Sequence, residues 1–221
     1  MTVASRGGMG SRRGRSQRRW TEVIQTERLV LRPARARDVP AIIDYYRRNR
    51  RHLAPWDPVR PRSFFTEDHW RRQVRVNARE LRQGLSMRLF MFLGERVIGS
   101  VSFTNVSRGA LQGCWLGYSL DGREQGNGYM TEALRAAIPH VFQALKLHRI
   151  MAGYMPRNRR SARVLRRLGF RVEGRARQYL LIAGRWEDHV LTSLVNPGVA
   201  ARARRSSSPP RARRARGGVS G

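Results

Sequence analysis

Residues 123–134 read REQGNGYMTEAL, with two glycines, Gly126 and Gly128, in a polar stretch that leads into a helical pattern. Met130, Ala133, Leu134, Ala137, Ile138, Val141 and Leu145 recur at three- and four-residue spacing, which predicts one amphipathic helix, with Pro139 expected to kink it. Just upstream, GCWLGYSLD reads as a short strand. A glycine-rich turn between a strand and a helix admits three readings: a hairpin or cap turn, a dinucleotide loop, or a cradle for some other phosphate. The dinucleotide fingerprint requires a third glycine where Thr131 stands and an acidic residue near Ile150; both are missing. The Gly-Lys-Ser/Thr of the nucleoside-triphosphate loop is missing too. What is left is physical: unpaired main-chain N–H groups of residues 125–130 at the positive end of a helix attract an anion. Glycines at 126 and 128 let that anion approach the backbone closely. A simple turn and cap fits the same residues, so both readings stand at this point.

Outward from this loop the chain organises as one domain over residues 21–197, flanked by two arginine-rich tails at 1–20 and 198–221. The tails lack apolar periodicity and are expected to be disordered, with Pro209 and Pro210 excluding regular structure from the second. Inside the domain, ERLVLRP alternates as a strand ending at Pro33. Asp38 is placed to cap the next helix, with Pro40 in its first turn. Three prolines mark the loop LAPWDPVRPRS, and Thr66 caps a second helix that ends at Gly84. MRLFMFL and RVIGSVSFTNV flank Gly94 and Glu95 as a hairpin. After the long helix come a strand, RIMAGYM, a short helix ending at Gly169, and a closing hairpin around Gly184. The order is strand, two helices, three strands, helix, strand, helix, two strands. That is seven strands and about four helices, an α/β (α+β) domain with a mixed sheet and parallel pairing at its centre.

Lys and Arg number 45 against 15 acidic residues, a net charge of +30, and only Lys146 is lysine. Such an arginine bias matches a GC-rich coding sequence as well as selection for anion binding. Removing both tails still leaves 32 basic and 15 acidic residues, so an anionic partner is expected: nucleic acid, ribosome or a phosphate-rich cofactor. The single cysteine, Cys114, builds neither a disulfide framework nor a zinc cluster, and it fits a reducing cytoplasm. No secretory signal and no bilayer-spanning run is apparent, and neither a metal nor a membrane is expected.

The element order, with Gln125, Gly126, Asn127, Gly128, Tyr129 and Met130 between the fourth strand and third helix, resembles the GCN5-related N-acetyltransferase (GNAT) superfamily. Its Arg/Gln-x-x-Gly-x-Gly/Ala loop matches at Gln125 and Gly128 and departs at Met130, where a larger side chain replaces a small one. A second family segment, Asn-x-x-Ser/Ala followed by Gly-Phe, is matched by Asn158, Ser161 and Gly169-Phe170. The resemblance covers residues 26–197. It tightens at LAPWDP, HRIMAGYMPRNRRSARVLRRLGF and QYLLIAGRWEDHVLTSL, which are similar to the bacterial ribosomal-protein-alanine N-acetyltransferases.

That resemblance implies a mostly antiparallel sheet splayed between its fourth and fifth strands, and acetyl-CoA as donor. It implies as acceptor the amino-terminal alanine of a small-subunit ribosomal protein, or another protein N-terminus. Residues 125–130 are then expected to hold the diphosphate and Asn158 the pantetheine arm, while a bulge near Tyr118 and Ser119 frees a main-chain N–H for the thioester carbonyl. Ser161 is the expected proton donor to sulfur, Leu165 occupying the position where many members carry tyrosine. Trp56 and Tyr154 are the expected acceptor-side residues. Acetylation of a small amine, and a non-catalytic ribosome-assembly or RNA-binding role with the tails on phosphate, are the competing functions.

Overall fold

Residues 23–198 are described by the structure, a computed structural model; residues 1–22 and 199–221, which hold every arginine of both tails, lie outside them. The elements in order are β1 (Ile24–Gln25), β2 (Val30–Arg32), α1 (Val39–Arg48), α2 (Arg50–Leu53), α3 (Glu67–Gln83), β3 (Met87–Leu93), β4 (Arg96–Ser107), β5 (Gly113–Leu120), α4 (Tyr129–Leu145), β6 (Arg149–Tyr154), α5 (Arg159–Arg167), β7 (Arg171–Ile182) and β8 (Arg185–Val195). Eight strands and five α-helices thus replace the expected seven and four. The additions have plain causes. β1 pairs two residues with β2, too few to show an alternation. α2 is set off from α1 by Asn49 alone, whose side chain donates to the Tyr45 carbonyl at 2.9 Å while its backbone leaves the helical region.

Local chemistry sets most boundaries as expected. The Thr66 hydroxyl accepts from the His69 N–H at the start of α3, and Gly84 closes that helix at φ 67°. Ala183 and Gly184 both take positive φ, the two-residue turn that matches the twist of a hairpin. Asp38 corrects the reading: its carboxylate does not cap α1 but accepts from the Arg35 N–H at 2.7 Å and from both terminal nitrogens of Arg32. Pro139 does not break α4, which is continuous through it.

One sheet carries all eight strands in the order β1-β2-β3-β4-β5-β6-β8-β7. Every pair is antiparallel except β5 and β6. That parallel pair is bonded only at Gly113↔Arg149, Cys114↔Ile150 and Trp115↔Met151. Beyond Trp115 the two strands part, β5 continuing to Leu120 and β6 to Tyr154. The splay is where the resemblance put it. The expected bulge is not: β5 pairs with β4 without interruption through Tyr118 and Ser119, and the register shift falls at Thr104/Ser107, where Asn105 has φ 52°.

Two cores sandwich the sheet. On one face α4 and Leu165 of α5 pack on Leu89, Met91, Cys114, Leu116, Ile150 and Ala152. On the other, Ile42 and Tyr45 of α1 and Trp70 and Val74 of α3 pack on Phe90 and Phe92. Because side chains alternate along a strand, each strand near the splay serves both faces.

Candidate active site

The splay opens a cleft of about 770 Å³ whose walls include Tyr118, Gly128, Trp56, Tyr154, Ser161 and His189. At one end lies the glycine loop. Its descent from β5 is anchored: the Asp121 carboxylate accepts from Arg48 Nε at 2.8 Å and from the Arg123 N–H at 3.0 Å, and the Gly122 N–H donates to Asn49 Oδ1 at 2.9 Å. The first helical bond of α4 is made by the Glu132 N–H to the Gly128 carbonyl, and among the described residues no acceptor meets the main-chain N–H groups of 125–131. Gly126 and Gly128 sit at φ 90° and 79°, and a Cβ at 126 would project into open space. Exposed, unpartnered N–H groups at a helix's positive end form an anion cradle. Met130, the departure from the family motif, turns its side chain into the core, where it is 6% exposed.

Two arginines flank this cradle that loop spacing alone does not reveal. Arg160 of α5 donates to Gln125 Oε1, and the Gln125 amide in turn donates to His52 Nε2 at 2.9 Å. Arg28 lies 4.4 Å over the Tyr129 ring and pairs with Glu132 at 2.6 Å. Burial raises the Glu132 carboxyl, but bonds from Thr26 and Arg28 outweigh it and hold the group below its ordinary value. Glu132 therefore serves the first strands rather than the cleft.

Hydrogen-bond phase along β5 separates the two residues expected near the carbonyl. The Asp121 N–H donates to the Ile98 carbonyl at 2.8 Å, so Asp121 and Ile98 form a bonded pair. Bonded and non-bonded pairs alternate in an antiparallel ladder. With Ser100↔Ser119 and Val101↔Tyr118 in register, the Ser119 N–H turns to β4 and the Tyr118 N–H turns away from it, toward the splay. The side chains separate as well. Ser119 Oγ accepts from the Tyr45 hydroxyl at 2.9 Å on the α1 face, whereas Tyr118 packs against the α4 core.

Tyr118 Oη lies 2.7 Å from Ser161 Oγ. Burial pushes the phenol up to about 12, against a smaller lowering by the Ser161 bond, so both groups are neutral hydroxyls at physiological pH. Tyr118 Oη also lies 3.4 Å from the Ser161 carbonyl oxygen, so the phenol donates toward Ser161 and the Ser161 hydroxyl proton is left for a third atom. Asn158 caps α5 through Oδ1, which accepts from the Ser161 N–H at 3.1 Å, and so fixes Ser161 relative to the cleft.

On the α1 face the cleft has a different character. Trp56 stands at its mouth with Arg157 5.7 Å from its ring centroid, and Arg157 ties the Trp56 loop to β8 through Pro55 O and Glu187. The Ala183 N–H donates to Asp57 O at 3.0 Å, closing the β7–β8 hairpin against the same loop. Tyr154 lies on the opposite face from Trp56, packed against the α4 core with Tyr118. Trp115 and Tyr179, 6.2 Å apart, line the cleft and were missed; Tyr179 reaches it because β7 bulges between Ala176 and Leu180, with Gln178 at φ 46°. Strand alternation alone could have shown Trp115, but nothing in the sequence marks the bulge. Among the described residues, no cluster of His, Cys, Asp or Glu is placed to hold a metal, and no helix is long and apolar enough to cross a membrane.

Residues 28–171 match the family model of the acetyltransferase (GNAT) domain. The chain belongs to the GNAT acetyltransferase family. It is therefore an acyl-transferring enzyme. The chain is 44% identical over 176 residues to the [ribosomal protein uS5]-alanine N-acetyltransferase of Escherichia coli (strain K12), covering 79% of this chain and 91% of that protein. Its fold is similar to the crystal structure of the ribosomal-protein-S5-alanine acetyltransferase from Vibrio fischeri, with TM-score 0.77 and 40% identity, over 79% of this chain and 97% of that one. It is also similar to Mycobacterium smegmatis RimJ in complex with CoA-disulfide, with TM-score 0.76 and 30% identity, over 85% and 95%.

Proposed function

We propose that the chain moves an acetyl group from acetyl-CoA to the α-amine of a protein N-terminus, with the amino-terminal alanine of a small-subunit ribosomal protein as acceptor. The observation that carries the donor side is the run of unpartnered N–H groups over residues 125–131, fronted by two glycines without a Cβ. They suit a diphosphate, with Arg28 and Arg160 beside them. Acetyl-CoA supplies an acyl group already activated as a thioester. The Tyr118 N–H, free of β4, polarises the carbonyl. The free proton of the Tyr118–Ser161 hydroxyl pair goes to the departing sulfur. Asn158 positions Ser161 through its cap and retains its side-chain N–H₂ for the pantetheine amides.

An N-terminal acceptor agrees with elementary acid–base chemistry. An α-amine with a pKa of about 7.7–8.0 is roughly one-tenth neutral at pH 7, whereas a lysine amine near 10.4 is neutral at below about one part in a thousand. The likeness to the Escherichia coli and Vibrio fischeri enzymes, named for alanine at the start of a small-subunit protein, supports the specific acceptor. The test is transfer of acetyl to a peptide beginning with the first residues of that ribosomal protein, followed by CoA thiol release and peptide mass. Turnover on the free peptide and none on its N-blocked twin is expected. Turnover on unrelated small amines, with none on peptide, would overturn the acceptor and leave the donor reading standing.

A further inference from the structure

Which group takes the proton from the attacking amine is not answered by the carboxylates near the cleft. Each is occupied: Asp57 by Arg60, Glu132 by Arg28, Glu173 by Arg149, Glu187 by Arg157 and Asp188 by Arg175. Glu187 and Asp188 are held below the ordinary carboxylate range, the first by Arg157 and the second by the Gln178 N–H and Arg175, which makes both weaker bases. His52 spends its Nε2 on the Gln125 amide.

His189 is different. It lines the cleft, is only 5% exposed, and its Nδ1 lies 3.0 Å from the Glu187 carbonyl oxygen. A carbonyl can only accept, so the proton sits on Nδ1 and the neutral ring keeps its lone pair on Nε2. No other hydrogen bond to the ring is present among the described residues.

The strand register gives its position. Gly153↔Leu191 and Tyr154↔Val190 pair across β6 and β8, so His189 shares a sheet face with Leu191 and Gly153. That is the face of Trp115 and Ser119, under α1, and not that of Tyr118, Ser161 and α5. A Cβ on Gly153 would lie 3.7 Å from the His189 ring, so glycine leaves the space before the imidazole unfilled. Tyr179 stands 5.7 Å from the ring on the same side. Base and hydroxyl pair thus face the splay from opposite sides of the sheet, so each can reach the reacting carbon without displacing the other.

We infer that His189 Nε2 is the general base for the acceptor amine, an inference that rests on the acetyl transfer proposed above. The amine lone pair forms the C–N bond while the C–S bond breaks. The nitrogen's extra proton passes to His189 Nε2, and the sulfur takes one from the Tyr118–Ser161 pair. The products are the amide and the CoA thiol; His189 then loses its proton to water and the hydroxyl pair regains one. The charged and titratable groups around the ring are Tyr179 from β7, the Arg175–Asp188 pair bridging β7 and β8, and Glu187 with Arg157 from the turn before α5.

The test is the pH dependence of kcat on the free peptide for the full chain, beside His189→Gln and His189→Asn, with CoA affinity measured for each. In the wild type, kcat should fall on the acid side through two ionisations, that of the acceptor amine and that of the base. Both variants should bind CoA as the wild type does, lose about 100-fold in kcat, and keep only the limb that belongs to the amine. A wild-type kcat without an acid limb overturns the inference whether or not the variants fold. So does a variant whose acid limb is as steep as the wild type's, or that keeps kcat within about three-fold. A wild type that binds no CoA and acetylates no peptide removes the underlying transfer reading, and the base with it.

Discussion

Tyr118 and Ser161 hold each other at 2.7 Å across the gap between β5 and α5, and neither is ionisable near neutral pH. Ser161→Ala should lower kcat about 100-fold and Tyr118→Phe about ten-fold, with acetyl-CoA affinity unchanged, because the pair acts on the leaving sulfur and not on ground-state binding. Turnover by both single variants at the wild-type rate would show that the proton comes from elsewhere. Cys114 makes the complementary case. It is fully buried, and burial pushes its thiol up to about 12, so almost no thiolate exists at pH 7. The native enzyme should resist a thiol-modifying disulfide over a period in which the denatured chain reacts completely. The sequence marks Asn158 and Ser161 as a cap at a helix start, and their place in the cleft was an expectation from the family resemblance alone. The phenol of Tyr118 was not, because its partner lies 43 residues away and only the packing of α5 on the sheet brings them together.

The loop between β5 and α4 is the element on which donor binding turns. Gly126 combines φ 90° with open space in front of its Cα, so Gly126→Ala meets no protein atom and its cost in stability, about 2 kcal/mol, is that of the left-handed backbone. Its methyl would nonetheless stand where an anion approaches the amides, and CoA affinity measured by calorimetry should fall at least about ten-fold. Unchanged affinity would mean that the diphosphate lies elsewhere. At the loop's origin, the Asp121 side chain is 2% exposed and bonded to Arg48 of α1. Asp121→Ala removes the acceptor of Arg48 Nε and of the Arg123 N–H, while Arg48 keeps Asp44 and the Val97 carbonyl, and should cost about 2 kcal/mol in urea unfolding; a loss below about 0.5 kcal/mol would show the pair to be dispensable. The turn and the helix start were readable from Gly126, Gly128 and the pattern after Met130. The anchor was not, since nothing in the local sequence pairs residue 48 with residue 121.

At the scale of the whole molecule, acid should be the sensitive direction. Burial raises Asp38, Asp121 and Glu132, but guanidinium and main-chain N–H bonds outweigh it and leave each below its ordinary 3.8, 3.8 and 4.5. The unfolded chain then binds these protons first as pH falls. The stabilisation is complete above the unfolded values and is lost as pH drops through the lower folded ones. The urea midpoint should therefore fall steadily below about pH 4.5, the more so because a chain of net charge +30 gains further positive charge there. A midpoint unchanged down to about pH 3 would contradict it.

From the sequence by itself followed the layer class, the glycine turn at a helix start, the hairpins, and the Asn158–Ser161 segment, because caps, periodicity and turn chemistry act over a few residues. Only the tertiary structure decided the rest. The phase of one hydrogen bond at Asp121 directs the Tyr118 N–H, and not that of Ser119, into the splay. The bulge in β7 swings Tyr179 inward, and strand register sets His189 and Ser161 on opposite faces of the cleft. These depend on pairing between residues far apart in the chain, and a one-residue shift in register reverses every one of them.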